Sequence, residues 1–317
     1  YAGASFDALF EKADAIRTSQ PQAFFQVLKE LQALEATSSP EDRMKIRLMR
    51  AHGYLLEGKS DSAIRDLEEV RSGAKDVTIR YRAAAMLANT YAGNRKFEQG
   101  LSILNEMLPM VREVKDRAAR HHGLLAAGIL YNRVGEFKLG GEYASQVIAD
   151  APSGRNRCIA GNLIVESRQG LNENLLEEQI LKAVEDCERE AEPLLAGFSR
   201  TFLARKWHAE GKTASAIALL EKHLPDVKRT VYPSLIAEYL SMLAEYRLEM
   251  SDIQAAEKHA RAAVAQGSTI AGSLPLVVAH RVLYEIANLQ GDTEAALDQY
   301  RNYAEADNAY LNEVKTR

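Results

Sequence analysis

The chain has 317 residues, which is enough for two average domains or for one elongated array of repeats. Hydrophobic residues make up 46% of it and charged residues 26%, a composition typical of a globular protein with a buried core. A formal net charge of −4 provides no general attraction for nucleic acid or for an anionic membrane. No stretch approaches the roughly eighteen consecutive apolar residues of a membrane-spanning helix. We therefore expect a soluble chain that binds no nucleic acid.

The first quarter of the chain predicts helices joined by tight turns. The segments FDALFEKADAIRT and PQAFFQVLKEL form a first pair, with Pro21 opening the second helix, where a missing N–H costs nothing. The segment PEDRMKIRLMRAHGYLLEG follows the capping residue Ser39 and has apolar residues at three- and four-residue steps. This spacing is typical of an amphipathic helix.

The end of that helix matches a phosphate-binding motif. Residues 53–60, GYLLEGKS, have the pattern G-x-x-x-x-G-K-[ST], which binds nucleotides only when a β-strand precedes it. Here a helix lies on each side, so Gly58 is interpreted as the left-handed residue that ends the first helix. The same turn recurs at residues 211–213, with Lys206 in place of the first motif glycine. The pattern therefore favours a structural turn over a nucleotide site.

Small residues recur in one register after each turn, at intervals of roughly 40 residues. They are Ala23, Ala63, Gly100, Gly140, Ala216, Ala256 and Ala296, with Leu175 in a less regular copy. Before the turns, Leu87, Ala88 and Tyr91 resemble the large-small-aromatic pattern of tetratricopeptide (TPR) repeats. The sequence predicts an all-α fold: a TPR-like right-handed α-solenoid of about eight antiparallel helix pairs. We expect one solenoid domain over residues 1–317, with a last helix over about 292–317.

Prolines support these boundaries, because proline breaks a helix interior. All of the following are predicted to lie between hairpins and none inside a helix: Pro40, Pro109, Pro152, Pro193, Pro225, Pro233 and Pro275.

The sequence carries no recognisable catalytic motif. It has no G-x-S-x-G, H-E-x-x-H or G-x-G-x-x-G pattern, and its two cysteines and seven histidines form no ligand set with metal-site spacing. We expect no enzyme activity, cofactor or metal, although an enzyme with an unrecognised site stays an alternative. Cys158 and Cys187 lie near the start of one first helix and the end of its partner. They either form a disulfide or are simply two small, half-buried residues.

The concave face of stacked first helices is the expected binding surface, as in other solenoids. Counting back from each turn places on it the basic and polar residues Lys45, His52, Arg82, Asn89, His122, Arg133, Arg157, Arg168, Arg205 and His208, and then the acidic residues Glu238, Glu245 and Glu285. The candidate binding residues are Arg82, Asn89, His122, Arg133, Arg157, Arg205 and His208. Such a groove would hold a protein, an acidic peptide or a small anionic ligand. The alternative is that these side chains only keep the groove solvated.

Several segments resemble one known family. NRCIAGNLIVESRQG, LARKWHAEGKTASAIALLEKHLPDV, LIAEYLSMLAEYRLEMSDIQAAEKHA and YRNYAEADNAYLNEVKTR are similar to the N-terminal TPR sensor region of bacterial membrane-bound diguanylate cyclases, the GGDEF proteins. The resemblance implies a periplasmic sensor portion of an inner-membrane protein, without catalysis of its own, that regulates a downstream cyclase and hence cyclic-di-GMP signalling. An oxidising periplasm would favour a disulfide between Cys158 and Cys187.

The start and the tail fit that resemblance as expectations. The chain begins at Tyr1 without a leader, as an excised or processed region would, and neither a GGDEF signature nor a membrane span is present. From residue 292 to 317 no helix breaker occurs, and Leu297, Tyr300, Ala304, Tyr310 and Val314 recur at helical spacing. The tail would therefore run on toward a coiled coil and membrane span, with a homodimer as one option. The alternative is a cytoplasmic TPR adaptor or peptide-responsive regulator.

Overall fold

The structure is a computed structural model that describes residues 5–17, 20–230, 232–267 and 273–315, with side chains up to residue 312. These residues form sixteen α-helices and no strand. In chain order the helix pairs are α1 (Phe6–Ile16) and α2 (Pro21–Ala33), α3 (Pro40–Leu56) and α4 (Ser60–Gly73), α5 (Val77–Gly93) and α6 (Phe97–Met107), α7 (Arg117–Arg133) and α8 (Phe137–Ala149), α9 (Gly154–Gly170) and α10 (Glu177–Arg189), α11 (Pro193–Ala209) and α12 (Thr213–Arg229), α13 (Pro233–Glu249) and α14 (Ile253–Gly267), α15 (Leu274–Leu289) and α16 (Thr293–Lys315). Short 3₁₀ turns cover Glu35–Thr37 and Leu108–Arg112.

The chain divides into two compact units, Tyr1–Ser153 and Gly154–Arg317. Each holds four helix pairs, and within each unit the first helix of a pair packs against its own second helix and against the first helix of the next pair. The predicted all-α fold of eight helix pairs is thereby confirmed. That residues 1–317 form one solenoid domain stays a prediction.

Side-chain caps and prolines start several of the helices. The side chains of Ser5, Ser39, Asp76 and Asp116 accept hydrogen bonds from backbone N–H groups in the first turns of α1, α3, α5 and α7. These bonds satisfy donors that a helix start leaves without a partner. The helices α2, α3, α11, α13 and α15 carry a proline in the first turn. The sequence predicts this for Pro21 and Pro40. The other three prolines, predicted to lie between hairpins, lie instead in the first turns of first helices, where a missing N–H costs nothing.

In seven hairpins, one residue of the turn has a left-handed backbone conformation. The positive-φ residues in these seven turns are Gly58, Arg95, Gly135, Asn172, Gly211, Ser251 and Gly291. After α3, the Gly58 N–H donates to the Leu55 carbonyl (3.1 Å) and the Lys59 N–H to the Tyr54 carbonyl (2.8 Å), which closes a Schellman-type helix end. Residues 53–60 are thus helix, turn and helix. This confirms the structural interpretation of the phosphate-loop match.

The small-residue register holds in six hairpins and fails in two. Gly100 and Ala216, like the other small residues of the register, are the fourth residues of their second helices, but Ile180 and Phe24 take this place in α10 and α2. Both are fully buried. Leu175, predicted in this register, lies instead before α10, because the α9–α10 connection is three residues longer than the three-residue turn after α3. Ala23, also predicted there, precedes the true position by one residue.

Pro225 lies inside α12, so the prediction that it separates hairpins is wrong. Proline removes one backbone hydrogen bond, here to the carbonyl four residues earlier, and normally kinks or ends a helix. Val227, two residues later, is fully buried in the core of its unit. Its burial accounts for the helix continuing to Arg229.

Each unit encloses its own buried tyrosine where two first helices approach closely. In the first, the Tyr81 hydroxyl donates to the Arg120 carbonyl (3.3 Å) across Gly123, where any Cβ would collide with the tyrosine ring. In the second, the Tyr239 hydroxyl donates to the Gly197 carbonyl at 2.8 Å. Both glycines lie on a first helix and face the neighbouring first helix. The close approach therefore sets the spacing of the helices that carry the candidate site.

Candidate binding face of the first helices

The first helices α3, α5, α7, α9, α11 and α13 are all 17 residues long, so their positions can be compared directly. In the first unit the sixth positions are all basic or imidazole side chains: Lys45, Arg82 and His122. We call these three residues the basic stripe. In the second unit the same position holds Ile159, Phe198 and Glu238. The two units therefore present different chemistry on equivalent helices.

Helix α1 lies against all three members of the basic stripe. The Lys45 Nζ lies 5.6 Å from the ring centroid of Phe10, and the Arg82 Cζ lies 5.9 Å from the same ring. The Arg82 guanidinium forms an ion pair with the Asp14 carboxylate at 2.5 Å. At the far end, the His122 Nε2 lies 2.9 Å from Arg17 Nη2. Because a guanidinium can only donate, this contact needs an unprotonated His122 Nε2.

Asp14 is the one carboxylate at the centre of this cluster. Burial raises the pKa of Asp14, but the guanidinium charges of Arg82 and Arg17 outweigh it and hold the pKa below its usual value. The Arg17 Nε lies 3.0 Å from Asp14 Oδ1. Asp14 is therefore ionised at neutral pH and neutralises part of the positive charge of the stripe.

His52 lies half-buried beside this cluster. Its Nε2 lies 3.1 Å from the Arg17 carbonyl oxygen, so the ring donates to the end of α1, and it packs edge-on against Phe24. Burial, followed by the Arg17 charge, lowers the pKa of His52 to about 4. His52 is therefore neutral at pH 7.

In the second unit, charges on neighbouring first helices pair with one another. Arg205 on α11 forms an ion pair with Glu238 on α13. Arg281 on α15 contacts Glu245 of α13 at 2.7 Å and Glu285 of its own helix at 3.2 Å. These contacts produce a ladder of alternating charges across α11, α13 and α15.

His208 belongs to the same ladder. Its Nε2 lies 2.7 Å from Glu249 Oε2, and its ring stacks on Tyr246 with 4.2 Å between centroids. An aromatic ring and a carboxylate on α13 thus position one imidazole on α11. This arrangement offers stacking and hydrogen-bonding groups side by side.

The other predicted site residues are not brought into these clusters. Arg168 pairs with Glu173 at the turn after α9, at 2.7 Å. Asn89, Arg133 and Arg157 are exposed, and the described residues offer no partner to their side chains. Whether the predicted residues bind a ligand stays a prediction.

The sequence prediction omitted Asp14, Arg17, Tyr246, Glu249 and Arg281. Asp14 could have been found, because Phe6, Phe10 and Asp14 recur every four residues and share one face of α1. The other contacts join residues 36 to 105 positions apart across repeats, and periodicity within one helix does not report them.

Cys158 on α9 and Cys187 on α10 are joined in a disulfide, with 2.12 Å between their Sγ atoms. Both residues are fully buried. The Ser199 hydroxyl of α11 lies 3.4 Å from Cys187 Sγ and 2.5 Å from Asn162 Oδ1, and the Asn162 amide donates to the Leu195 carbonyl. The bridge is thus part of a buried network between the first three helices of its unit.

Within the described part of the chain, no three His, Cys, Asp or Glu side chains converge as metal ligands would. None of the described helices has the length and apolar character needed to cross a bilayer.

The chain matches no protein-family model, and no curated protein resembles it in sequence. Solved structures do resemble its fold. A Rap protein complexed with Competence and Sporulation Factor is 11% identical with a TM-score of 0.67, and the match covers 97% of this chain and 99% of that one. NprR in complex with its cognate peptide NprX is 14% identical with a TM-score of 0.57, over 88% and 84% of the two chains.

A third similar structure is the signal-transduction ATPase of the STAND class with a tetratricopeptide repeat sensor from Pyrococcus horikoshii. It is 13% identical with a TM-score of 0.63, and the match covers 98% of this chain. The chain spans about half the length of that protein, 48% of it. At these identities the likeness shows the fold, which is a TPR-like helical repeat.

Proposed function

We propose that this protein is a non-catalytic sensor or protein-interaction domain that binds a peptide or protein segment on its first-helix face. The observation that carries the proposal is the ladder on α11, α13 and α15, where Arg205, His208 and Arg281 pair with carboxylates of neighbouring first helices. Such a face is polar and half-buried, and its charges can exchange internal partners for those of a ligand. The similarity to NprR with its cognate peptide supports a peptide as the ligand.

Exposed donors suggest how a segment would be held. In the first unit, Asn89 and Arg133 lie on α5 and α7. An asparagine amide can donate to and accept from a peptide backbone, while an arginine fork pairs with a carboxylate. An acidic peptide or a small anionic ligand is therefore the favoured ligand class.

A random dodecapeptide library displayed on phage and selected on the full chain would test the proposal. Selected peptides, resynthesised and titrated, should lose about tenfold in affinity, roughly 1.4 kcal/mol, for Arg205→Ala and for His208→Ala on the ladder. Arg65→Ala on the second helix α4 is the matched control and should bind like the wild type. No enriched sequence, or equal binding by all variants, would contradict the proposal.

The resemblance to GGDEF sensor regions supports a finer proposal: the domain is periplasmic and regulates a diguanylate cyclase. Binding would change the packing of the helix pairs and so bias a C-terminal helix between two states. The Cys158–Cys187 pair supports an oxidising compartment. In the full-length protein, cyclase activity should respond to ligand with the array and lose the response without it. An identical response in both forms would reject the regulatory role.

A cytoplasmic peptide-responsive regulator is the second candidate. The similarity to the quorum sensor NprR and to NprR with its cognate peptide supports the response to a peptide. Thiol counting on denatured protein taken from its native compartment separates the two candidates. A disulfide between Cys158 and Cys187 supports export, whereas two free thiols support the cytoplasmic regulator.

A further inference from the structure

Helix α1 contacts more first helices than stacking alone requires. In a repeat array each repeat normally contacts only its neighbours. The backbone carbonyl of the C-cap residue Arg17 contacts His52 on α3, while the side chains of Asp14 and Arg17 reach Arg82 on α5 and His122 on α7. The contact from Arg17 to His122 joins residues 105 positions apart. The end of α1 therefore lies across the first-helix face of its unit.

One face of α1 complements the basic stripe in order. Phe6 and Phe10 lie under the Lys45 ammonium, at 5.9 and 5.6 Å, and Phe10 also lies under the Arg82 guanidinium. Four residues after Phe10, the Asp14 carboxylate takes the ion pair of Arg82. Only 11% of the Arg82 side chain stays exposed. Residues at four-residue steps on α1 thus bind the basic stripe through cation–π contacts and an ion pair.

Docking is what keeps α1 helical and in place. At 11 residues it is shorter than isolated helices that are stable in water, for which about 12–15 residues are needed. Its adjacent face, about 100° around the helix, inserts Leu9 and Ala13 into the cluster formed with α2 and α3. The helix is therefore held by two faces, and weakening one of them releases the stripe.

We propose that the basic stripe of Lys45, Arg82 and His122 is a docking surface for a helical segment with aromatic residues at positions i and i+4 and a carboxylate at i+8, and that α1 is its intramolecular occupant. A partner segment of this pattern displaces α1. The inference rests on the proposed function and deepens it, because it names the class of segment and the contact that the segment must replace.

The test uses the full chain and a fluorescein-labelled synthetic peptide of residues 5–17, SFDALFEKADAIR. A tethered occupant competes at an effective concentration in the millimolar range, so the wild-type chain should bind the peptide weakly. Phe10→Ala combined with Asp14→Asn in the chain should raise peptide affinity at least tenfold by anisotropy. Glu11→Gln, on the exposed side of α1, is the matched control and should bind like the wild type.

The Arg82→Glu chain distinguishes a specific change in peptide recognition from unfolding of the chain. This chain should bind the peptide with Asp14→Lys at least tenfold more tightly than the original peptide, since the exchanged charges restore the pair. Far-UV circular dichroism and melting curves check the fold of each variant. A lack of preference between the two peptides would overturn the assignment of Arg82 as the receptor of the carboxylate.

Hydrogen exchange measures displacement directly. Saturating the wild-type chain with the peptide should raise amide exchange in residues 6–16 and leave α13–α15 unchanged. Binding without this change, or a purified dimer that exchanges α1 between copies, would overturn the intramolecular occupant. If library-selected peptides bind the wild type and the α1 variants with equal affinity, the proposed function stands and this inference fails. If no peptide binds any variant, the proposed function itself fails.

Discussion

His52 makes the stability of the first unit depend on pH. Its pKa is about 4 in the folded chain, because the ring is buried and lies near the Arg17 charge, against about 6.5 when exposed. Between pH 6.5 and 4 the unfolded chain binds a proton that the folded chain does not, so stability falls over this window and levels off below it. The pKa of Asp14 is lowered in the folded chain, so protonation of this carboxylate reduces stability only as the pH falls below the ordinary pKa of an aspartate.

We therefore expect His52 to remove about 2 kcal/mol of stability between pH 7 and pH 4.5. The comparison is urea unfolding of the wild type and of His52→Gln, which keeps an N–H donor for the Arg17 carbonyl. Other half-buried histidines with lowered pKa values, such as His259 and His280, titrate in both proteins, so their contributions cancel. An equal loss in both proteins would assign the pH dependence to those other groups.

The hairpin turns give a second prediction for single residues. Ser251 has φ of 62° without being glycine, and Gly211 has φ of 77° with open space around its Cα. Left-handed backbone costs an L residue about 1–2 kcal/mol, while glycine loses about 0.5–1 kcal/mol more entropy on folding. Ser251→Gly should stabilise the chain by about 0.5 kcal/mol and Gly211→Ala should destabilise it by about 1 kcal/mol, measured by urea unfolding. Effects of the same sign for both changes would show that φ is not the controlling term.

At the scale of single residues, short-range patterns were predictable and long-range pairs were not. Gly58 as a left-handed helix end and Ser39 as a cap follow from chemistry within four or five residues. The Arg17–His122 contact depends on how four repeats pack, which periodicity within a helix leaves open. A face could therefore be predicted, but its occupant could not.

Among the elements, the α9–α10 hairpin carries the only disulfide that the described residues contain, closing a separation of 29 residues. A crosslink over a loop of this length stabilises by about 3 kcal/mol in the chain-entropy account. Cys158→Ala with Cys187→Ala should lower the stability of the second unit by that amount, as seen by thermal or urea unfolding. Reductant should lower the stability of the wild type and leave the double variant unaffected. An equal effect on both would place the sensitivity elsewhere.

At the scale of helices, existence and pairing were predictable but two local details were not. All eight hairpins follow from turns, caps and apolar spacing. The length of the α9–α10 connection was missed because its three extra residues carry no turn signature distinct from the turn itself. Pro225 was misassigned because propensity opposes proline in a helix, and tertiary packing of Val227 overrides it.

For the whole molecule, the described apolar clusters each lie within one of the two units. Leu104 on α6 and Leu220 on α12 are fully buried and form a matched pair. Leu→Ala at such sites costs about 2–5 kcal/mol. We expect Leu220→Ala to raise hydrogen exchange in α11–α15 and spare α3–α7, and Leu104→Ala to do the reverse. Increased exchange throughout the chain for either variant would show that the units unfold as one.

The left-handed turn has a consequence for how such a protein changes over evolutionary time. Four amino-acid types, glycine, arginine, asparagine and serine, hold the same backbone angle in seven hairpins of one chain. Selection at this position therefore acts on a backbone torsion angle, which several residue types can adopt at a modest cost in conformational free energy. The residue type at this position can change while the hairpin is kept, so the sequence changes faster than the fold. This is in keeping with a chain that shares a TPR-like fold with proteins only 11 to 14% identical to it.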